Sequence, residues 1–430
     1  MRRIHTSLTL TIVLITVLAS IHAARTEEVA WPCWRGKNRD GKSSDKGLLK
    51  NWPEGGPKLL WKVTGIGQGF SSATFGGGLV YITGRQEEGN PSVIPKSKDV
   101  YKRPGDRLYI TAIDMDGKVK WARDVTKAYL GSFKGARAAV TYDNGKLYLI
   151  TGTGEIGCYD ATNGEAKWKR DFKEFNAVIP KRGFGISESV LIVGDLAIVT
   201  PGGDCFMAAL NKKTGATVWK SKPYAPPQHC SAIHVEYQGA SMIINGSHKG
   251  LVCLDAKTGK IHWTRDFAEK NTANVPTPAF SDGYVFWAVG YGRGGICMKL
   301  SVSGDKVTAT EAWRTKDMDC RVGGYIIHDG YIYGNHKDGY ACLDLKTGET
   351  KWKEEAVRKG SLCWADDMLY LFGEKDGLVG LATCSPDGLK MKGTVRVAGQ
   401  NFSWAYPVVI GGRLYLRYDE TLYCFDVKAP

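Results

Sequence analysis

The stretch Cys253-Leu-Asp-Ala-Lys-Thr-Gly-Lys-Ile-His-Trp263 recurs almost letter for letter along this chain. It returns as Cys342-Leu-Asp-Leu-Lys-Thr-Gly-Glu-Thr-Lys-Trp352 and as Cys158-Tyr-Asp-Ala-Thr-Asn-Gly-Glu-Ala-Lys-Trp168. Each copy reads as a β-strand, a tight turn with glycine where φ must be positive, and a second strand ending on tryptophan. Such repetition speaks of architecture before chemistry.

The closing tryptophan falls at Trp121, Trp168, Trp219, Trp263, Trp313 and Trp352, at intervals of 39 to 51 residues. Periods of that size with four strand signals per unit predict propeller blades, not helical repeats. The turns that join the first two strands of each unit fix the count. They lie at Gly76–Gly78, Asn144-Gly145, Gly194-Asp195, Gln238-Gly239, Asp282-Gly283, Asp329-Gly330, Asp366-Asp367 and Gly411-Gly412, which makes eight. The seventh unit is degenerate, with Lys392 where tryptophan is expected, and the eighth ends at Cys424-Phe-Asp426 without a fourth strand. A spare strand signal, Pro57-Lys-Leu-Leu-Trp61-Lys-Val63, precedes the first unit. The expected fold is all-β: an eight-bladed β-propeller of four-stranded antiparallel blades, closed by that N-terminal outer strand in the last blade. Closure also removes the unpaired edges of an open array.

Three segments follow from this reading: a signal peptide over residues 1–24, an N-terminal arm over 25–56, and the propeller over 57–430. Arg2 and Arg3 precede an apolar run from Leu8 to Leu18, with small residues at Ala19, Ser20, Ala23 and Ala24. That is the pattern of an export signal cleaved after Ala23 or Ala24, with no transmembrane span left afterwards. The chain is expected in the periplasm or outside the cell, as a monomer. The arm carries Trp31-Pro-Cys-Trp34 without a strand period, so its aromatics are expected to dock on the body as a latch.

The 430 residues hold 58 Lys and Arg against 44 Asp and Glu, a formal charge of +14. Scattered surface cations account for much of this, and no motif points to a specific nucleic acid. Eleven cysteines in an exported chain raise the question of disulfides. Aligning the hairpins places Ala112, Cys158, Ala209, Cys253, Cys297, Cys342, Ala382 and Cys424 at one position, a site with room for one small side chain. Cys33, Cys205, Cys230, Cys320, Cys363 and Cys384 remain, and the sequence does not pair them. Without a C-x-x-C, no zinc or dithiol site is expected. Gly152-Thr-Gly154-Glu-Ile-Gly157 matches a dinucleotide-binding pattern, but it occupies a turn between strands. Asp114-Met-Asp116-Gly117 is likewise a turn, not a calcium loop.

Loop length marks a working face, because binding residues concentrate on variable loops held by a rigid scaffold. One face carries only tight turns. The other carries Arg85–Arg107, Ala122–Gly135, Asp171–Ile186 and Arg265–Val275. With them come Lys134, Arg137, Lys181, Arg182, Lys249, Arg293, Arg321, Lys337, Arg358 and Lys359, which suggests a basic funnel. Residues entering each inner strand should ring the channel mouth: Ser71, Arg137, Glu188, His229, Asn274, Arg321, Ser361 and Trp404. Among these, Arg137, Glu188, His229, Asn274, Arg321 and Trp404 form the candidate ligand site, suited to a planar carboxylate by charge-assisted hydrogen bonds and stacking. No catalytic set and no metal ligands are assigned.

The small-Leu-Asp-x-x-Thr-Gly-x-x-x-Trp hairpin resembles the repeat of pyrroloquinoline-quinone (PQQ) propellers over residues 57–430. The resemblance implies that Trp61, Trp121, Trp168, Trp219, Trp263, Trp313 and Trp352 dock between neighbouring blades. It also implies two branches. Quinoprotein alcohol dehydrogenases bind PQQ and calcium, use an Asp base and carry a vicinal Cys–Cys disulfide, which this chain lacks. The propeller subunit family of outer-membrane β-barrel assembly is a cofactor-free scaffold and normally a lipoprotein, whereas no lipidation Cys stands here. The functional expectation is a non-catalytic exported module binding a protein partner or an anionic envelope polymer. The alternative is a divergent PQQ-dependent oxidoreductase.

Overall fold

The computed structural model describes residues 30–87, 105–179, 183–269 and 274–430. The expected signal segment, Lys181, Arg182 and most of the Arg85–Arg107 loop lie outside the described residues. Among the described residues thirty-two strands form eight four-stranded antiparallel sheets, each a blade of a closed ring. Within a blade the inner strand is short and buried, as in β2 (Thr74–Gly76), because it faces the crowded axis. The outer strand alternates toward solvent, as in β17 (Ile261–Asp266). In the last blade, β1 (Lys58–Thr64) pairs antiparallel with β32 (Thr421–Asp426), with Trp61 opposite Cys424. The chain ends thus close the ring.

The hairpin signature resolves into one packing device. The small residue sits directly across from the tryptophan, Cys158 opposite Trp168, Ala209 opposite Trp219, Cys253 opposite Trp263. A bulge follows each pair and turns the indole toward the next blade. There the Trp168 indole donates to the Lys212 carbonyl, and Trp352 donates to Ser385. The turn glycine of the next blade lies against the ring. A Cβ on Gly259, whose φ is +72°, would lie 2.4 Å from Trp219. Any larger residue therefore meets both strain and collision.

In the seventh blade the register corrects the sequence alignment by one residue. Leu381, not Ala382, takes the position of the small residue, and it faces Gly393, not Lys392. The bulge there absorbs the shift. Large and small are exchanged, and the missing indole arrives from elsewhere in the chain. Trp52 of the arm lies on Gly393, where a Cβ would approach its own Cβ to 2.5 Å, and its backbone N–H donates to the Lys392 carbonyl. Its ring is 6.1 Å from Tyr370, matching the 6.2 Å between Trp352 and Tyr333 in the blade before. The arm completes the blade.

The rest of the arm plugs the central channel from the tight-turn face. Trp31 bridges Phe75, Pro32 accepts from the Tyr142 N–H, and Ser43 donates to Trp364, so the arm touches the inner strands of the first, second and seventh blades. Arg39 donates to the carbonyls of Ser189, Val190 and Ala232, while Arg35 donates to Tyr325. Both guanidinium groups are buried, held by backbone oxygens in place of carboxylates. All eleven cysteines are unbridged, and ten are buried.

Candidate functional site

On the long-loop face the plugged channel becomes a blind cup of about 220 Å³. Its floor is Trp34 of the arm against Tyr406 and Val322. Four of the six expected site residues line it: Arg137, His229, Arg321 and Trp404. The structure does not bring the other two to the wall. Glu188 is buried and accepts from the Thr200 N–H and hydroxyl at 2.9 and 2.7 Å. Asn274 is fully buried and exchanges hydrogen bonds with the Glu269 backbone while donating its own N–H to Gln228. Ser71 accepts from Arg417, and Ser361 donates to the Ala405 carbonyl. Half of the expected ring thus serves the scaffold.

What dominates the cup is aromatic. Phe70, Phe133, Phe184, Phe402, Trp404 and Tyr291 converge from five loops. Phe133 stacks on Phe184 at 5.9 Å and 7°, and Phe402 stacks on Trp404 at 4.7 Å and 17°. Phe133 also meets Trp404 edge to face at 5.0 Å. The sequence signal lay in glycine-flanked loops, Gly131-Ser-Phe133 and Gly183-Phe184-Gly185, which place bulky rings where chains usually turn. Two of the long loops expected to carry function, Ala122–Gly135 and Asp171–Ile186, deliver these phenylalanines.

Two rim aromatics sit in left-handed backbone, Phe133 at φ +52° and Tyr291 at φ +61°. That region is unfavourable for a bulky residue, so other contacts must hold each one. Arg137 supplies them for Phe133, donating to the carbonyls of Ser132 and Phe133. Its burial lowers the guanidinium to about 10. Arg321 lies over the Tyr291 ring at 6.0 Å. Its ion pair with Glu374 is long, 3.4 Å, and Glu374 also accepts from the Trp404 indole and neighbours Lys359. Burial, with Arg137 adding, drives the His229 pKa down to about 4, so the ring is neutral near pH 7. Its Nδ1 lies 3.2 Å from the Ser187 hydroxyl.

The expected basic funnel is partly neutralised. Lys249 pairs with Asp266, Arg321 with Glu374, and Lys359 with Asp338 and Glu374. Lys134, Lys337 and Arg358 make no ion pair among the described residues.

Residues 106–354 match the PQQ_2 family model, described as outer membrane protein assembly factor BamB, over more than half of the chain. The chain belongs to this family. Among members of this BamB-like family, the assembly factor of Moranella endobia is 25% identical over 265 residues, 58% of this chain and 63% of that protein. The match thus spans less than two thirds of that relative. The BamB of Shewanella oneidensis is 21% identical, over 64% of this chain and 70% of its own length. The crystal structure of BamB from Moraxella catarrhalis superimposes with a TM-score of 0.61 at 15% identity, covering 86% of this chain and 99% of that one. The quinohemoprotein alcohol dehydrogenase from Comamonas testosteroni gives 0.64 at 13% identity, covering 93% and 81%. At such identities the likeness is one of fold.

PQQ with calcium does not suit the residues of the cup. Calcium takes 6–8 oxygen ligands, carboxylates prominent among them, yet no cluster of three or more His, Cys, Asp or Glu exists among the described residues. Glu374 is committed to Arg321, Lys359 and the Trp404 indole, and Glu188 to Thr200. Three of the five N–H donors of Arg137 are committed to carbonyls.

Proposed function

We propose that this chain is an exported, non-catalytic binding module of the bacterial cell envelope, which grips a protein partner with its long-loop face. The supporting observation is the exposed apolar rim around the aromatic cup. Leu130, Phe133 and Tyr291 are 51%, 44% and 52% exposed, all on this face. Exposed apolar groups clustered around a concave site mark interaction surfaces. Such a rim suits a protein better than an anionic polymer, which would call for a denser array of free cations. Membership of the BamB-like family agrees with a scaffold role. No helix among the described residues is long and apolar enough to cross a membrane.

The test is site-specific photo-crosslinking in living cells. A crosslinker replacing Leu130 should yield a discrete protein adduct, and one replacing Val218, 54% exposed on an outer strand, should not. Equal labelling from both positions overturns the reading. So does dye-linked alcohol oxidation by the purified chain supplied with PQQ and calcium.

A further inference from the structure

We infer that the cup recognises one aromatic side chain of a partner segment together with an adjacent carboxylate, which Arg321 receives. This rests on reading the long-loop face as a partner surface, and it specifies the chemistry of that partner.

Size comes first. An apolar protein cavity of about 150 Å³ binds benzene, so a cup of about 220 Å³ takes one substituted ring. The walls suit a ring as well. Phe402 and Trp404 are stacked, and Phe133, itself stacked on Phe184, meets both of them edge to face, so the four rings form one continuous aromatic wall. Rings pair favourably in offset-stacked and edge-to-face geometries beyond the area they bury.

The two arginines differ in what they have left to give. Arg137 gives three of its five N–H donors to the Gly135, Ser132 and Phe133 carbonyls and so fixes the loop. Arg321 makes one contact of 3.4 Å to Glu374, a carboxylate already shared with Lys359 and the Trp404 indole. Its side chain is 36% exposed at the rim. A guanidinium engaged through one long contact retains N–H groups for an incoming carboxylate, and a charge-assisted bond there is stronger than a neutral one.

The rim points to a polypeptide rather than a free aromatic acid. Leu130, Phe133 and Tyr291 extend apolar surface beyond the cup, which flanking residues of a segment cover and a small acid leaves bare. Lys134, Lys337 and Arg358 on the same face, without an ion pair among the described residues, complement an acidic segment. The Arg137 bonds to the Ser132 and Phe133 carbonyls and the Arg321 contact with the Tyr291 ring hold this part of the rim in place before binding, so little ordering is lost on association.

The experiment titrates the purified full chain with capped tetrapeptides, followed by tryptophan fluorescence and calorimetry. Acetyl-Gly-Asp-Phe-Gly-amide should bind about tenfold more tightly than its Phe→Leu and Asp→Asn analogues, a factor equal to about 1.4 kcal/mol for each feature. Arg321→Gln should abolish the Asp/Asn difference and keep the Phe/Leu difference. Phe133→Ala, at an exposed position, should do the reverse, with melting curves showing both variants folded. Equal affinity for all three peptides, or no binding at millimolar concentration, overturns the inference. Phenylacetate binding as tightly as the Asp-Phe peptide also overturns it, in favour of a small-molecule site. If Leu130 cross-links persist while the peptides fail, only the aromatic-acid specificity falls. If both vanish, the face reading falls with it.

Discussion

Trp34 of the N-terminal arm meets Tyr406 of the ring edge to face, with centroids 5.2 Å apart and planes at 80°. The contact joins the plug of one face to the cup of the other. Arg35 lies 5.5 Å from the same Tyr406 ring, and the Tyr406 hydroxyl donates to Val322. The depth of the cup is therefore set by a segment outside every blade. Trp34→Ala should deepen the cup and lower stability by about 1 kcal/mol, the order of one aromatic pair. Urea unfolding reads the loss, and increased binding of a small apolar dye reads the added depth. Unchanged dye binding would count against a floor role for Trp34.

Trp52 stands in for the indole that the seventh blade lacks. Truncating a buried tryptophan removes roughly 3–5 kcal/mol of stability. Trp52→Ala should therefore cost about as much as Trp352→Ala, although Trp52 lies outside the repeat. The comparison is made by thermal or urea unfolding of the two variants. A Trp52→Ala loss under about 1 kcal/mol would show that the arm merely rests on the blade.

Gly259 combines positive φ with contact on Trp219, whereas Gly239 has positive φ and open space around it. Gly239→Ala meets backbone strain alone, of order 1 kcal/mol. Gly259→Ala meets that strain and an indole 2.4 Å away, so it should destabilise by about 1–3 kcal/mol more. Equal losses in urea unfolding would contradict the wedge.

Glu188 and His229 set opposite pH dependences. Burial, opposed by hydrogen bonds from Thr200, raises the Glu188 carboxyl from 4.5 to about 7, so the folded chain keeps a proton that the unfolded chain releases. Its contribution to stability falls as pH rises from 4.5 toward 7. His229 drops from 6.5 to about 4, so the unfolded chain binds the extra proton and stability rises over pH 4 to 6.5. The two largely cancel between pH 4.5 and 6.5. Relative to the native chain, Glu188→Gln should gain about 2–3 kcal/mol over that range and His229→Gln should lose a similar amount. Unfolding curves at both pH values check the signs.

Much of the ring was legible because its determinants are local. The Thr-Gly turn, the small residue and the tryptophan lie within eleven residues, so the strand register follows from the hairpin itself. Blade number and closure by residues 58–64 followed from counting such units. The seventh blade shows where this logic ends. Without its tryptophan the hairpin has no anchor, and a bulge moves Leu381 and Gly393 into the places assigned to Ala382 and Lys392. The make-up of the cup was legible in part. Arg137, His229, Arg321 and Trp404, expected from their position at inner-strand entries, line it. Glu188 and Asn274 share that position but turn into the scaffold.

The sequence by itself determined the repeat, the ring and the face with long loops, because periodicity and turn chemistry act over short spans of chain. Only the tertiary structure decided that Trp52 completes a blade, that the arm plugs the channel, and that six scattered aromatic rings make a cup. Many of those contacts join residues hundreds of positions apart, such as Trp34 and Tyr406, and no local pattern encodes them. They arise because a closed ring brings every inner-strand entry to one axis, where whatever side chains the loops carry must meet.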